Sequence, residues 1–393
     1  MVPGGARTAL MAAALAAGAL GAVAPASADH VLLTDELRLV RGRLLAIGGD
    51  SVAYRDIDGQ TQTIPAKRCL GLFDPDVSFK PAPEDGVLIR ADGQRLPGRP
   101  ELRQGKLVWT HQLLGMTAID LEATRSIVFG PERGAPRADR TDVVLLANGD
   151  ILEGIIDRLG ANIDIVQGDG ADARKVAVPL ERVAAVALVA PAKAPAGART
   201  WLADGTILDS ARPLLERGDV RLPELAITGE QKDVVVPLAN VRGIAFDPGA
   251  FTPLAALRIV STEAPPERYQ VPAPVRVDPL APLGVSSLRL SGPASFLFEP
   301  LAADGLRLVA TIRLAPEGLP WGDLEIAIVD SEGECWRGHL GSERRSLPVD
   351  VTLRGRKLSI VLEEGRNGAI GDTVLIESAI LGAPPAAPSA TAG

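Results

Sequence analysis

Apolar and polar residues alternate along this chain in short runs, and turn-forming residues end almost every run. Leu306-Arg307-Leu308-Val309-Ala310-Thr311-Ile312-Arg313 and Leu324-Glu325-Ile326-Ala327-Ile328-Val329 carry the period of two that marks a strand with one buried face. Val143 to Leu146, Ile151 to Ile156, and Ile163, Ile165 and Val166 read as three further strands. With 41 glycines and 32 prolines against 3% aromatic residues, turns come every few positions, which favours short strands over long helices.

The turns themselves repeat. Asp92-Gly93-Gln94-Arg95-Leu96, Asn148-Gly149-Asp150-Ile151-Leu152 and Asp204-Gly205-Thr206-Ile207-Leu208 place their glycines 56 residues apart. An internal period of that length means tandem copies of one supersecondary unit. An Asx-Gly pair suits a type I′ hairpin, whose two central residues both need positive φ. Each unit ends on a related phrase: Val178-Pro179-Leu180-Glu181-Arg182-Val183 in one, Val236-Pro237-Leu238-Ala239-Asn240-Val241 in the next, and Ile119 to Phe129, without the proline, in the one before. Proline leading a final strand fits an edge or first position, and Leu180 to Val183 predicts one helical turn.

A divergent copy stands in front. Val40-Arg41-Gly42-Arg43-Leu44 begins it, Asp58-Gly59 turns it, and Ile64-Pro65-Ala66-Lys67-Arg68-Cys69 ends it. Four repeats are thus expected at 36–73, 84–130, 141–189 and 199–247, each a small SH3-like or Sm-like barrel around its own apolar centre. Linkers lie at Pro131 to Arg140, at Ala190 to Pro195 and near Pro265-Pro266. The tail 383–393 reads as disordered.

Residues 1–28 read as a secretory signal peptide: Arg7, an apolar run from Ala9 to Val23, and an Ala26-Ser27-Ala28 cleavage site. The expected location is therefore outside the cytoplasm (periplasm, cell surface or medium), with no transmembrane segment after cleavage. The net charge of −8 becomes one unit more negative without Arg7, and no basic tract exists, so nucleic acid is not an expected partner. Cys69 and Cys335, the only cysteines, fall in separate modules and read as free thiols, not a disulfide framework.

From 267 to 382 the period is lost, and about eight longer strands predict a jelly-roll β-sandwich. The whole is all-β: four tandem small barrels followed by that sandwich. Landmarks in the last module follow a recognisable order. Pro282-Leu283-Gly284-Val285-Ser286-Ser287, the strand Leu306 to Ile312, Ile326 to Glu332, Leu347-Pro348-Val349-Asp350-Val351-Thr352-Leu353-Arg354-Gly355, then Gly368, Gly371-Asp372 and Ala379-Ile380-Leu381 succeed one another. In this order the module resembles the NPCBM family, carbohydrate-binding modules associated with glycosyl hydrolase family 98. The chain departs from the family at Leu375-Ile376, where an Asp-Trp pair is usual, and at Ala315-Pro316-Glu317, where an Asp pair is usual. The resemblance implies a galactose-binding-like sandwich and carbohydrate binding.

Candidate chemistry is sparse. His30, His111 and His339 sit in different regions, and no His/Cys metal spacing or nucleophile elbow occurs, so no metal, cofactor or catalytic triad is expected. Asp323, Glu325, Asp330, Glu332 and Glu334 gather in one predicted hairpin, the single arrangement open to carboxylate-pair hydrolysis; a solvated strand face is the plainer reading. Trp321, Trp336, Arg337 and His339 are the candidate ligand-binding residues, aromatic faces for stacking with polar groups beside them, and Tyr269 lies near in sequence. Trp109 and Trp201 read as core. Arg125, Arg182 and Arg242 recur at repeat ends and read as solvent-facing. Three functions follow: glycan or envelope-polymer binding without catalysis through the C-terminal sandwich, with the barrels as spacers or protein-contact modules; a structural or assembly protein whose barrels bind partner proteins through strand edges; and a carbohydrate-active hydrolase using the acidic hairpin.

Overall fold

The computed structural model describes residues 29–81, 86–130, 134–168, 170–227, 231–265, 271–319 and 321–383. The signal segment, Tyr269 and all of the tail except residue 383 lie outside the described residues. The fold is all-β, and the first two-thirds consist of four small barrels of one topology. In barrel 1 the strands are His30–Thr34, Leu39–Ile47, Ser51–Asp56 and Thr61–Pro65, then a 3-10 turn, Ala66–Arg68, and the closing strand Cys69–Phe73. The opening strand pairs antiparallel with both the second and the closing strand; the second pairs with the third, and the third with the fourth. The same ladder recurs in barrel 2 (86–128), barrel 3 (142–187) and barrel 4 (198–245). Barrel 1 thus opens with a strand ahead of residue 36, and Asp58-Gly59 joins its third and fourth strands.

The repeated Asx-Gly turn is not type I′. Only its glycine has positive φ, 86° at Gly93, 95° at Gly149 and 87° at Gly205. Gly93 N–H donates to Arg90 O at 3.0 Å and Arg90 N–H to Gln94 O at 2.9 Å, and both bonds recur around Gly149 and Gly205. This is a type I turn followed by one left-handed residue. The Asx side chain adds a bond of its own: Asp92, Asn148 and Asp204 accept the N–H two residues on at 3.0, 3.1 and 2.8 Å. Barrel 1 makes the same two backbone bonds, Leu37 N–H to Thr34 O and Thr34 N–H to Arg38 O, with Leu37 at φ 56°. Leu37 stands 56 residues before Gly93, so the period includes the first copy, with leucine in the glycine's place.

A second glycine series runs Gly42, Gly98, Gly154. A Cβ there would collide with the carbonyl oxygen of Arg55, Thr110 or Val166 on the third strand. The second strand bends so sharply over its neighbour that only glycine fits. Barrel 4 has Ser210 at this position, and its second strand is interrupted there, as Ile207–Ser210 and Leu214–Glu216. The closing prolines end the fourth strand instead of leading the fifth: Pro65, Pro179 and Pro237 each precede a 3-10 turn, as at Leu180–Arg182.

The barrels are not separate beads. Closing strands pair antiparallel, Cys69–Phe73 with Val241–Ala245 and Thr124–Val128 with Val183–Ala187. A third contact pairs Ile207 of barrel 4 with Arg95 of barrel 2. The spatial order is therefore 1–4–2–3, and one apolar cluster runs through all four. The 2–4 contact is polar and buried. Arg95 Nη1 donates to Gly205 O at 2.6 Å, Asp209 N–H to Gln94 Oε1 at 3.0 Å, and Arg199 bridges Asp209 and the carbonyl of Asp92. Trp109 and Trp201 are core residues as expected, with Trp109 Nε1 donating to Leu96 O at 3.0 Å.

The C-terminal sandwich faces a six-stranded sheet against a five-stranded one around its own apolar core. Leu308, Ala310, Ile312 and Leu314 point inward from Arg307–Leu314, as the alternation requires. Two strands ahead of residue 267 belong to it, Phe251–Pro253 and Ile259–Glu263. A third apolar cluster joins it to the barrels: Leu33, Leu37 and Leu70 of barrel 1 and Trp201 and Ala245 of barrel 4 meet Leu283 and Ile380. Arg242, expected at the surface, is buried in this junction, donating to Asp278 at 2.7 Å and Leu280 O at 2.8 Å with its guanidinium 5.7 Å from the Phe79 ring. Arg125 and Arg182 are exposed.

The glycine argument is testable at Gly98. Gly98→Ala should lower unfolding stability by about 2–3 kcal/mol, the cost of forcing an extra methyl into a close-packed site. Chemical denaturation of the full chain reads this out. An unchanged midpoint would show that the second strand tolerates a side chain at its bend.

Candidate functional site

The predicted acidic hairpin forms from strands Leu324–Val329 and Glu334–Leu340, with Leu324 opposite Leu340 and Val329 opposite Glu334. That register sends its acids to opposite ends. Asp330 and Glu332 sit at the turn, where buried Asp330 accepts the N–H groups of Glu332 at 2.8 Å and Arg354 at 2.9 Å. Burial pushes the carboxyl's pKa up, and the backbone N–H groups together with the Arg354 charge outweigh it and hold the value below the ordinary one. Asp330 is a turn brace. Asp323 and Glu325 lie at the other end, beside His339.

Around Asp323 opens a cleft of about 650 Å³, lined by Asp323, Glu325, His339, Glu343, Arg344 and Arg366, with Ser342, Asn367 and backbone glycines completing the wall. Asp323 organises it. Its Oδ1 lies 2.5 Å from His339 Nε2, its Oδ2 accepts the Arg366 N–H at 2.8 Å, and its own carbonyl accepts Gly365 N–H at 2.8 Å. The His339 bond and then the Arg366 N–H keep the Asp323 carboxyl below its usual pKa. A general acid for glycoside cleavage needs the opposite shift. Asn367 Nδ2 donates to Trp321 O at 3.1 Å, tying the 365–367 loop to the strand's entrance. Among the described residues, Glu325, Glu343, Arg344 and the Arg366 guanidinium form no ion pair or side-chain hydrogen bond within the protein.

The four candidate ligand residues are only partly brought together. His339 is in the cleft wall, and Trp321, 64% exposed, stands next to lining residue Gly322. Trp336 turns the other way and packs half-buried against the sandwich core; Gly338 leaves it room, since a Cβ there would strike its ring. Arg337 is on the same outer face as His339 but is held by Glu334 at 2.6 Å and Glu363 at 2.7 Å. Arg344, Arg366 and Asn367 carried no signal in the sequence, because their loops have no periodicity and meet only through the register of the sheet.

Among the described residues no group of His, Cys, Asp and Glu is arranged to hold a metal ion, and no helix is long and apolar enough to cross a membrane. His30 lies 3.9 Å from Asp74 and His111 Nε2 lies 3.0 Å from Thr206 Oγ1, both inside the barrel array. Cys69 and Cys335 are free, and burial pushes both thiols up to about 11, away from thiolate chemistry.

Beneath the cleft, Asp372 is 3% exposed, and its Oδ1 accepts Asp323 N–H at 3.4 Å. Desolvation raises its pKa from 3.8 to about 6. A carboxyl with a raised folded pKa stabilises the fold below its unfolded value, and that contribution is lost as pH rises through the folded one. The cost at neutral pH is roughly 3 kcal/mol by linkage. The stability of Asp372→Asn relative to wild type should therefore climb by about this amount between pH 4 and pH 7. Paired thermal or urea melts across that range check it, and a difference that stays flat with pH would show Asp372 to be solvated.

No family model matches the chain, and no curated protein matches it. Among solved structures the chain is similar to CBM51 of a Clostridium perfringens GH95 in complex with methyl-galactose (11% identity, TM-score 0.26), over 33% of this chain and 99% of that one. It is similar to the CBM51-2 and INT domains of Clostridium perfringens ZmpB (8% identity, TM-score 0.29), over 43% of this chain and 39% of that one, well under half its length. A third likeness is to the tandem CBM51 modules of Sp3GH98, the family 98 glycoside hydrolase of Streptococcus pneumoniae SP3-BS71 (10% identity, TM-score 0.28), over 90% and 88%. These structural neighbours are carbohydrate-binding modules.

Proposed function

We propose that the protein is an exported, non-catalytic binder that recognises a glycan or another hydroxyl-rich envelope polymer in the cleft around Asp323. One observation carries the reading: a preformed polar cleft presents unpartnered carboxylates and guanidiniums together with a fixed imidazole and amide. Sugar hydroxyls both donate and accept, so a wall offering both kinds of group suits them. The exposed Trp321 ring beside the cleft supplies an apolar face for a sugar ring. The NPCBM-like order of landmarks and the neighbours in solved structures agree with this reading. The depressed pKa of Asp323 favours binding over hydrolysis.

Partner binding through barrel strand edges is less favoured, because the outer edges of all four closing strands are paired within the chain. Export rests on the composition of residues 1–28; cell fractionation of the tagged full chain checks it.

The cleft reading is tested with a glycan array followed by calorimetry on the best hit. Removing a hydrogen bond to a charged or fixed group costs about 1.5–3 kcal/mol, so His339→Ala and Arg366→Ala should each weaken binding roughly 10- to 100-fold. Trp321→Ala should weaken it too, with unchanged melting temperatures. Absence of any glycan ligand, or affinity indifferent to all three changes, would refute the assignment.

A further inference from the structure

We propose that a second copy of this chain docks on barrel 3, through a two-fold contact centred on Ile151. The proposal is independent of the glycan reading and comes from how the barrels pair with one another. Leu72 opposes Ile244, Ile127 opposes Val186, and Arg95 opposes Ile207. Leu72, Ile127, Val186 and Ile244 face the opening strands at Leu32, Leu88, Val144 and Thr200, which are spaced 56 residues apart. Arg95 and Ile207 each follow the repeated glycine by two residues. Among the described residues, every strand pairing between barrels therefore joins equivalent positions, antiparallel, as across a local two-fold axis. Such a surface is self-complementary.

Each barrel has two of these surfaces, its closing strand and its Asx-Gly turn with the start of the second strand. All four closing strands are used. The turns of barrels 2 and 4 cover each other: a Cβ on Gly93 would meet Arg199, and one on Gly205 would meet Arg95 and Phe79. The turn of barrel 1 is covered by the sandwich, where Leu37 abuts Gly382 and Glu36 O accepts Arg307 Nη1 at 2.9 Å. Among the described residues, the tip of the barrel 3 turn at Gly149 is the one that no other barrel and no part of the sandwich covers. Nothing lies within 4 Å of a Cβ on Gly149, and Ile151 and Ile155 on the same face of Ile151–Leu159 are 57% and 64% exposed.

Two isoleucines on one exposed strand face, in a chain that covers the equivalent surface three times, define the occupant. The surface equivalent to that of barrel 3 and not already engaged is its own counterpart in another molecule. Ile151 then faces Ile151 of the second copy, as Arg95 faces Ile207 within the chain.

Light scattering on the full chain should give a dimer. Ile151→Asp combined with Ile155→Asp should raise its dissociation constant at least about tenfold, with circular dichroism and melting unchanged. In a Cys335→Ser background, mild oxidation of Ile151→Cys should yield a covalent dimer, and Ile57→Cys, exposed on another hairpin, should not. A monomer at every concentration would overturn the proposal, as would a dimer indifferent to the double change or one that Ile57→Cys cross-links equally well.

Discussion

The architecture depends on equivalent strands pairing with each other in antiparallel register. A closing strand in an isolated barrel leaves one row of N–H and C=O groups exposed, a template for unwanted association. Here those rows satisfy one another two by two, first with fourth and second with third. The pairing requires copies of nearly equal geometry, and the 56-residue period, the left-handed turn residue and the glycine under the bend supply it. Sequential neighbours in the chain are consequently not always neighbours in space, which is why the linkers after barrels 1 and 3 run across barrel 4 and barrel 2: Lys80 N–H donates to Ala203 O at 2.7 Å and Lys193 N–H to Ala91 O at 3.0 Å.

The sandwich is mounted on the paired closing strands of barrels 1 and 4. Gly71 and Gly243 on those strands let Leu283 and Pro282 approach the backbone, where any Cβ would intervene. Leu37 accepts a left-handed backbone, which costs a non-glycine residue roughly 1–2 kcal/mol, and gains a buried position against Gly382, 2% exposed. Burying a leucine side chain contributes about 1.5–3 kcal/mol, so the exchange is favourable or neutral at that site. The buried Arg242 guanidinium, bonded to the more exposed Asp278 and to the carbonyl of Leu280, fixes the same junction through directional bonds.

Much of this was legible before the structure. The strand class, the tandem copies, the 3-10 turn at Leu180–Arg182 and the core tryptophans follow from local pattern, and local pattern is what a sequence displays directly. Leu37 was hidden because its role is a backbone angle that leucine does not advertise; glycine at 93, 149 and 205 does. Arg242 reads like Arg125 and Arg182 at the level of the repeat, but Arg182 lies in a 3-10 turn and Arg242 in a closing strand, where a sandwich segment from 278 to 283 lies over it. The candidate site divided along the same line. His339 and Trp321, singled out by residue type, lie in and beside the cleft, whereas Trp336 faces inward because it lies an odd number of residues from both Arg337 and His339 on one strand. Arg344, Arg366 and Asn367 come from loops whose proximity depends on three paired strands.

The cleft draws all its lining residues from 322–367, so the barrels contribute nothing to it directly. They meet the sandwich elsewhere, at the apolar junction of Leu283 and Ile380. Polar recognition of a sugar gives little net energy per hydrogen bond, and ordering a flexible wall on binding would consume it. Asp323 meets that difficulty locally, fixing one imidazole and two loop N–H groups before any ligand arrives, while Glu325, Glu343, Arg344 and Arg366 keep their capacity unspent. With so few aromatic residues in the chain, affinity at a single cleft is expected to rest on these polar groups and one exposed indole. Two clefts presented on one rigid two-fold assembly would raise the effective concentration at a repetitive surface without any new contact to the ligand.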